Sequence, residues 1–314
     1  MKPIHAPLPI NRRSFLRASA LSALATAGCV SLPRPSPSYI DAHVHVWTPD
    51  TQRYPLAEGF TRETDMVPPS FTPTELFSHC RSLDVSRIVL IQMSFYKFDN
   101  RYMLDVMASQ PAVFSGVAIV DESKPGVGAA MDSLAQKGVR GFRVRASREL
   151  AEAWKNSPGM RKMWSHAADN GLSICLLADP DALPAIQAMC KAYPKTRVVI
   201  DHFARIGVSG TVEPQDLEQL SRISDFEHTF VKTSAFYALG AKTPPYEDLA
   251  PMIRTLHAAY GARRLMWASD CPYQVQPGHN YADSIALIRD RLDFLTSEDK
   301  EWMLRKTAEH VFFS

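Results

Sequence analysis

The stretch YIDAHVHVW, residues 39–47, decides the fold of this chain. It is rich in apolar residues, and its polar residues alternate with apolar ones, as in a strand that has one polar face. Period two places Asp41, His43 and His45 on one face and the residues between them on the opposite face. We predict a buried strand whose histidines point towards a central axis and whose apolar residues lie under helices.

Seven further apolar runs, most of them followed by a helical pattern, continue this alternation along the chain. The later predicted strands cover residues 87–93, 113–120, 139–145, 172–177, 197–202, 229–233 and 264–269. The predicted helices cover residues 74–83, 101–109, 127–137, 159–170, 181–192, 214–223, 246–260, 282–292 and 297–311. Eight such units predict an α/β fold, a single-domain (β/α)8 TIM barrel over residues 39–314. The alternative, an open doubly wound sheet, requires a glycine-rich turn after the first strand, which the sequence lacks.

The composition is that of an ordinary globular protein. Of the 314 residues, 46% are hydrophobic and 22% are charged, which argues against a disordered or fibrous chain. Five of the 35 basic residues and none of the 33 acidic residues precede residue 38, so the predicted barrel carries a slight negative charge. We therefore expect a small-molecule substrate and no nucleic-acid partner.

The first 28 residues have the pattern of an export signal. The run Asn11-Arg-Arg-Ser-Phe-Leu-Arg17 precedes a short stretch rich in alanine, serine and leucine. This resembles the twin-arginine translocation signal, and the apolar stretch is too short to span a bilayer. We predict a signal peptide over residues 1–28, a proline-rich tether over residues 29–38, and a location outside the cytoplasm, in the periplasm or on the membrane.

The end of this leader resembles a bacterial lipobox. In Ala27-Gly28-Cys29 the cysteine stands where lipidation occurs, but Thr26 occupies the position where the motif prefers leucine. Both alternatives, a lipid anchor on Cys29 and a protein without one, stay open at this point. The other four cysteines are scattered, with neither a CxxC pair nor zinc spacing, and Cys80, Cys175 and Cys190 are expected to be small buried apolar residues.

Polar residues gather where predicted strands end, which is where the active sites of TIM barrels form. The sixth strand ends in His202, with Arg205 just beyond it, and the eighth ends in Asp270. A carboxylate that ends an apolar strand is costly to bury alone, so Asp270 is interpreted as a base or ligand rather than a helix N-cap. His43 and His45 can converge on one ion or substrate atom; the alternative is a hydrogen-bonded histidine pair.

Arginines mark a second part of the predicted site. In the fourth strand, alternation places Arg143 and Arg145 on the inward face. Together with Arg205 they would form a positive rim that binds carboxylates through bidentate hydrogen bonds; the alternative is solvent-facing arginines held in salt bridges. Gln92 and Ser94, at the end of the second strand, are predicted to donate or accept hydrogen bonds with the substrate.

These motifs resemble the amidohydrolase superfamily. The residues that carry the resemblance are the HxH of strand one, His202 on strand six and Asp270 on strand eight. The segments YIDAHVHVW, VVIDHFAR and LMWASDCPY resemble the amidohydrolase-related branch that includes 2-pyrone-4,6-dicarboxylate lactonase and L-fuconolactonase. The resemblance covers essentially the whole chain after the leader, and it implies a TIM-barrel hydrolase.

The activity implied by the resemblance is hydrolysis of a small lactone, with the three arginines holding a carboxylate of the substrate. Asp270 would act as the general base on water. His43, His45 or a bound ion would polarise the carbonyl group. His202 would complete this electrophilic site or protonate the leaving oxygen.

The resemblance also bears on cofactors. Strand four carries arginines where binuclear members present a bridging lysine or glutamate, and strand five has no histidine. A binuclear centre is therefore not expected. The alternatives are an enzyme that requires no cofactor and one that binds a single zinc or manganese ion through His43, His45 and Asp270.

Two other functions remain as alternatives at this stage. One is a mononuclear metal-dependent decarboxylase or hydratase of the same superfamily, against which the missing histidine on strand five counts. The other is an exported protein that binds a ligand without turning it over. The long segment 47–73 is a candidate lid over the site. The oligomeric state is not assigned.

Overall fold

Eight parallel strands form the inner layer of the structure, a computed structural model that describes residues 38–314. Their order in the sheet is their order in the chain, as a (β/α)8 barrel requires. The strands are β1 (Tyr39–Val44), β2 (Val85–Ile91), β3 (Phe114–Ala118), β4 (Val139–Ala146), β5 (Ser173–Ala178), β6 (Arg197–Ile200), β7 (Thr229–Thr233) and β8 (Leu265–Trp267). The predicted fold class is therefore confirmed.

The barrel is completed by a short seam between β1 and the residues after β8. The backbone N–H of Asp270 donates to the carbonyl oxygen of His43 over 2.9 Å, and that of His45 donates to Cys271 over 2.8 Å. Val44 and Cys271 form a parallel bridge at the same place. The first and last strands thus meet beside the predicted catalytic residues.

Helices form the outer layer. They are α1 (Arg62–Asp65), α2 (Pro73–Cys80), α3 (Arg101–Ser109), α4 (Val127–Ala135), α5 (Arg148–Trp154), α6 (Pro158–Asp169), α7 (Leu183–Ala192), α8 (Pro214–Arg222), α9 (Ala250–Tyr260), α10 (Tyr281–Ala286), α11 (Ser297–Glu301) and α12 (Thr307–Phe312). Proline stands in the first turn of α2, α6, α7, α8 and α9, where its missing N–H is not needed. The outward residues of the strands pack against these helices in one large apolar cluster.

The capping box of α2 offers a test of local stability. The Thr72 hydroxyl accepts from the N–H of Glu75, whose carboxylate accepts from the N–H of Thr72 over 2.6 Å. Removing such a cap typically costs about 1 kcal/mol. We expect Thr72→Ala to lower the free energy of unfolding in urea by about 1 kcal/mol. Thr72→Ser, which keeps the hydroxyl, should stay close to the parent; an equal loss in both variants would contradict the capping role.

A second apolar cluster fills the interior of the barrel below the site. It contains inward residues of the strands, such as Ile40, Ala42 and Val199, and the side chains of α12. Phe312 and Val311 of α12 are 1% exposed and close the end of the barrel away from the site. The barrel is therefore a packed core that is open to ligands at one end only, as in other TIM barrels.

The predicted alternation of β1 is wrong at two positions. Ala42 was predicted under the helices but lies in the interior cluster, and Asp41 is not on the face of the histidines. Instead Asp41 accepts hydrogen bonds from Tyr281 of α10 over 2.6 Å and from the N–H of Ser269. The cause is a register shift between Asp41 and Val44, an extra residue that breaks the period of two.

Several element boundaries also differ from the predictions. Strands β6 and β8 end before His202 and Asp270, which lie in the turns that follow. In place of the helix predicted over 246–260, a 3₁₀ turn over Glu247–Leu249 follows the left-handed Tyr246 and leads into α9 at Ala250. The helices predicted over 282–292 and 297–311 each contain a π-helical segment, and the sequence reading missed α1 and α5.

The segment between β1 and α2 is ordered by contacts of its own. Trp47 pairs with Phe71 through a β-bridge, and the Tyr54 hydroxyl donates to Asp105 of α3 over 2.6 Å. Residues 48–73 contribute no side chain to the active-site cavity described below. These contacts therefore hold the candidate lid against itself and against α3, and its side chains do not line the cavity.

The predicted signal peptide, the tether up to residue 37 and Cys29 lie outside the described residues. Within residues 38–314, no helix is long and apolar enough to cross a membrane. The cysteines of this part, Cys80, Cys175, Cys190 and Cys271, are buried and free, in line with the expectation for Cys80, Cys175 and Cys190.

Candidate active site

A cavity of about 490 Å³ opens at the C-terminal ends of the strands. The apolar side chains that line it include Met93, Ile119, Leu177, Val208 and Leu239. The remaining surface is polar and contains most of the predicted site residues, namely His45, Ser94, Arg143, Arg145, His202, Arg205 and Asp270. This volume suits a small organic molecule with both an apolar and an anionic part.

His43 in β1 and His45 just after it lie side by side at the cavity, which His45 lines. His43 is fully buried, His45 is 3% exposed, and their Nε2 atoms lie 3.2 Å apart. The Nδ1 atom of His45 lies 2.8 Å from the carbonyl oxygen of Ile91, so this nitrogen carries the proton and donates. In the neutral ring, the Nε2 atom of His45 therefore carries a lone pair, and this lone pair faces His43.

Asp270 stands above these histidines with one oxygen bound and one oxygen free. The Tyr237 hydroxyl donates to Oδ2 over 2.7 Å. Oδ1 is buried and receives no hydrogen bond from residues 38–314, although the Nε2 atoms of His43 and His45 lie 3.5 and 3.4 Å away. Such a carboxylate oxygen is available to a water molecule, a proton or a cation.

His202 reaches the site through an unusual backbone segment. The four residues His202–Arg205 all have φ between 53° and 59°, the left-handed region that costs L-residues about 1–2 kcal/mol each. The Nδ1 atom of His202 lies 2.8 Å from the Ser234 hydroxyl, and the Nε2 atom of His202 lies 3.7 Å from Oδ2 of Asp270. Backbone strain of this kind is concentrated at functional sites.

The charge states of these groups follow from burial and from their neighbours. Burial alone would raise the pKa of Asp270, but the neighbouring His202, His45 and His43 outweigh it and hold the pKa below its ordinary value. Burial lowers the pKa of His43 and of His202. At neutral pH the site therefore contains a carboxylate beside the neutral imidazoles of His43 and His202.

A buried ion pair lies beneath His43. Lys232 of β7 and Asp201, directly after β6, are both fully buried, and Nζ lies 3.0 Å from Oδ1. Burial would raise the pKa of Asp201, but Lys232 and His43 hold it well below the ordinary value. The sequence reading missed Lys232, although a lysine inside the short strand TFVKT is itself a signal, since buried lysines are rare without a partner.

The arginines of β4 face the cavity, as the alternation predicts. Arg143 is largely buried, and its Nε lies 3.9 Å from Asp201 but has no hydrogen-bond partner within residues 38–314. Arg145 lines the same cavity and is exposed. Arg205 also lines it, but its charge is paired with Asp179. Arg143 is thus the buried cation that is best placed to receive an anionic group.

Of the two residues predicted after β2, only Ser94 lines the cavity. Gln92 is 2% exposed, and its amide nitrogen donates to the carbonyl oxygen of Asp99 over 2.7 Å. Its predicted substrate contact is therefore corrected to a role in holding the loop before α3. Ile91 faces the interior of the barrel, so alternation directs Gln92, the next residue, outwards.

Two tyrosines that the sequence reading missed complete the site. Tyr237, in the turn after β7, binds Asp270, and Tyr273 packs 6.0 Å from the ring of His45, measured between ring centroids. Burial raises the pKa of Tyr273 to about 12, so its hydroxyl stays protonated. Both follow strand ends, where their polar tips could have been suspected.

Tyr237 is expected to orient the carboxylate of Asp270. Removing its hydroxyl leaves Oδ2 without this donor, which should let the carboxylate rotate away from the reacting position. We expect Tyr237→Phe to lower kcat about ten- to a hundredfold with little change in KM, since a hydrogen bond to a charged group contributes roughly 1.5–3 kcal/mol. A KM change without a kcat change would instead assign Tyr237 to substrate binding.

The donor set of the site fits a divalent metal ion. His43, His202 and Asp270 each offer one atom, and these atoms all lie within 4.8 Å of one another. The free Oδ1 of Asp270 and the lone pair of His45 are further donors of the types that zinc prefers. The predicted ligands His43 and Asp270 are thus brought together, and the structure adds His202 to them.

Barrel, histidines and carboxylate together define the class of a TIM-barrel hydrolase. The chain belongs to the amidohydrolase family, because the family model described as Amidohydrolase matches residues 40–313. The recognised superfamily is thereby confirmed. The match spans nearly all of the described barrel, including the seam, the histidines of β1 and the arginines of β4.

Characterised relatives of this chain act on lactones. L-fucono-1,5-lactonase of Burkholderia ambifaria is 28% identical over 244 residues, which cover 76% of this chain and 82% of the relative. A 4-sulfomuconolactone hydrolase of Rhizobium radiobacter is 23% identical, with coverage of 74% and 75%.

Solved structures agree with the fold. The probable 2-pyrone-4,6-dicarboxylic acid hydrolase of Acinetobacter baumannii, with citric acid bound, superposes with a TM-score of 0.73 at 23% identity. The comparison covers 88% of this chain and 100% of that protein. An amidohydrolase of Burkholderia multivorans with bound zinc gives a TM-score of 0.72 at 17% identity, with coverage of 88% and 99%.

Proposed function

We propose that this protein is a hydrolase that opens a small lactone bearing a carboxylate. The observation that carries the proposal is the presence, in the lining of one cavity, of Asp270, whose Oδ1 accepts no hydrogen bond within the described residues, and of the largely buried guanidinium of Arg143. A free carboxylate can activate water, and a buried guanidinium can bind an anion. Relatives that hydrolyse lactones support this assignment.

The reaction begins with water held at Oδ1 of Asp270. The carboxylate takes one proton of the water while its oxygen bonds to the carbonyl carbon of the lactone, and the carbonyl oxygen becomes negative. His43 can stabilise this oxyanion by donating a hydrogen bond when its Nε2 carries the proton, whereas Nε2 of His45 carries a lone pair and does not donate. The bond between the carbonyl carbon and the ring oxygen then breaks.

The leaving oxygen must receive a proton, and His202 is the residue beside Asp270 that can deliver it. Because Nδ1 of His202 is engaged with Ser234, its Nε2 is the atom that faces Oδ2 of Asp270. A proton passed from Asp270 through Nε2 to the leaving oxygen restores the carboxylate. The product is an open-chain hydroxy acid, and no atom is left on the enzyme.

A divalent ion, if bound, would be held by His43, His202 and Asp270, with His45 as a further donor. It would polarise the carbonyl group and lower the pKa of bound water. The arginines and Tyr237 would keep the roles given above, since none of them belongs to this donor set.

The test is a pH-indicator screen of the purified protein against muconolactones, pyrone carboxylates and neutral sugar lactones, with and without a chelator. Turnover of an anionic lactone supports the proposal. Turnover of neutral sugar lactones alone would contradict the role of the arginines. Tightly bound stoichiometric zinc without turnover of any lactone would favour a decarboxylase or hydratase instead.

We also propose that the protein is exported through the twin-arginine pathway. The support is the sequence of residues 1–28, with its paired arginines and short apolar stretch. Replacing Arg12 and Arg13 by lysine should retain the protein in the cytoplasm in a fractionation assay. Incorporation of labelled palmitate that is lost in Cys29→Ser would add a lipid anchor.

A further inference from the structure

Lys232 and Asp201 compete for the same nitrogen of His43. Lys232 Nζ lies 3.1 Å from Nδ1 of His43, and Asp201 Oδ1 lies 3.4 Å from the same atom. An ammonium group can only donate and a carboxylate can only accept. Lys232 therefore requires Nδ1 to be a lone pair, whereas Asp201 favours a proton on Nδ1.

The choice at Nδ1 decides what the other nitrogen of the ring can do. When Nδ1 accepts from Lys232, the neutral ring carries its proton on Nε2. That N–H can donate to the lone pair of His45, 3.2 Å away, whose own N–H donates to Ile91. Lys232, His43, His45 and the carbonyl oxygen of Ile91 then form one continuous chain of hydrogen bonds that needs no metal ion.

The opposite choice prepares the site for a metal. When Nδ1 carries the proton and faces Asp201, Nε2 is a lone pair directed at Asp270 and His45. Only this form can ligate an ion, and a carboxylate behind a ligating histidine commonly strengthens metal binding. The positive charge of Lys232 acts in the other direction, because it repels a cation at the site.

We propose that Lys232 and Asp201 are positioning residues that set the tautomer of His43, with Lys232 weakening and Asp201 strengthening the binding of a divalent metal ion. Both charges are fully buried, so solvent does not screen them. Besides His43, the titratable, charged and aromatic groups close to the pair include His202, whose ring acts electrostatically on Asp201, Arg143, 3.9 Å from Asp201, and the ring of Phe312, 5.4 Å from Lys232. The inference concerns the site of the proposed lactonase but does not require its substrate.

The first test measures zinc affinity by competition with a chromophoric chelator. We expect Lys232→Met to bind zinc about tenfold more tightly than the parent. Asp201→Asn should bind it about 10–100-fold more weakly, as is typical when the partner of a ligating histidine is lost. A surface variant, Lys155→Met, should leave the affinity unchanged.

The double variant Lys232→Met/Asp201→Asn is the matched control, because it removes both buried charges and leaves neither unpaired. Its zinc affinity should return to within a few-fold of the parent value. It also keeps the test decisive if Lys232→Met alone does not fold. A purely structural role would move both single variants in the same direction, and that result would overturn the proposal.

The second test reads the tautomer itself in the metal-free protein by ¹⁵N NMR of the imidazole nitrogens. We expect the parent to show His43 protonated on Nε2 and Asp201→Asn to keep this form. Lys232→Met should shift the proton to Nδ1. A parent in which Nδ1 is already protonated would overturn the proposal, whereas loss of lactone hydrolysis alone would bear only on the proposed function.

Discussion

Asp270→Asn is expected to lower kcat for lactone hydrolysis by a factor of about a thousand or more, with KM nearly unchanged. Positioned proton transfer contributes roughly 10²–10⁴ to the rate. The amide that replaces Oδ1 or Oδ2 cannot accept the proton of water, although it occupies the same volume and can keep the hydrogen bond from Tyr237. The measurement is steady-state kinetics on the lactone found in the screen.

The control for this variant is Asp293→Asn. The side chain of Asp293 is 94% exposed, and the proposed reaction does not use it. It should retain full activity. Circular dichroism and the melting temperature should show that Asp270→Asn is folded. If folded Asp270→Asn kept more than a tenth of the parent kcat, another group would have to be the base.

Arg143→Gln is expected to raise KM for an anionic lactone by about ten- to a hundredfold and to change kcat little. A hydrogen bond to a charged group contributes about 1.5–3 kcal/mol. The guanidinium of Arg143 lines the cavity, and its Nε makes no hydrogen bond to a described residue. The loss should be much smaller for a neutral lactone of similar size. Kinetics on the two substrates side by side separate charge recognition from a general disturbance of the cavity.

Variants of two further arginines serve as comparisons for Arg143→Gln. Arg205→Gln should raise KM less, because the charge of Arg205 is already paired with Asp179. Arg222→Gln on the surface of α8, where the residue pairs with Glu218, should have no effect. Equal losses for Arg143 and Arg205 would mean that the rim binds anions as a diffuse positive field.

The fold and most of the site could be predicted from the sequence because both follow the period of the strands. Inward residues of β4 and β8 keep the period of two as far as Arg145 and Ala268, so Arg143 and Arg145 lie where alternation places them. His202 and Asp270 could be found because polar residues after apolar strands mark the open end of a barrel.

The remainder depended on departures from that period. The register shift in β1 separates Asp41 from the histidines, and no local residue type marks it. The left-handed segment His202–Arg205 contains no glycine, so the sequence gives no sign of its conformation. To predict the role of Lys232, one would have to ask how a lysine within β7 can be buried. The structure answers this with its partner Asp201.

The seam between β1 and the end of β8 has a consequence for the order in which the enzyme acquires activity. It joins residues as far apart as Asp41 and Ser269, which are 228 positions apart in the chain. Contacts of such long range are among the last to form, because closing the loop between them costs the most entropy. Nascent or C-terminally truncated chains that lack β8 should therefore have neither a closed barrel nor a base, and hydrolytic activity should begin only when synthesis is nearly complete.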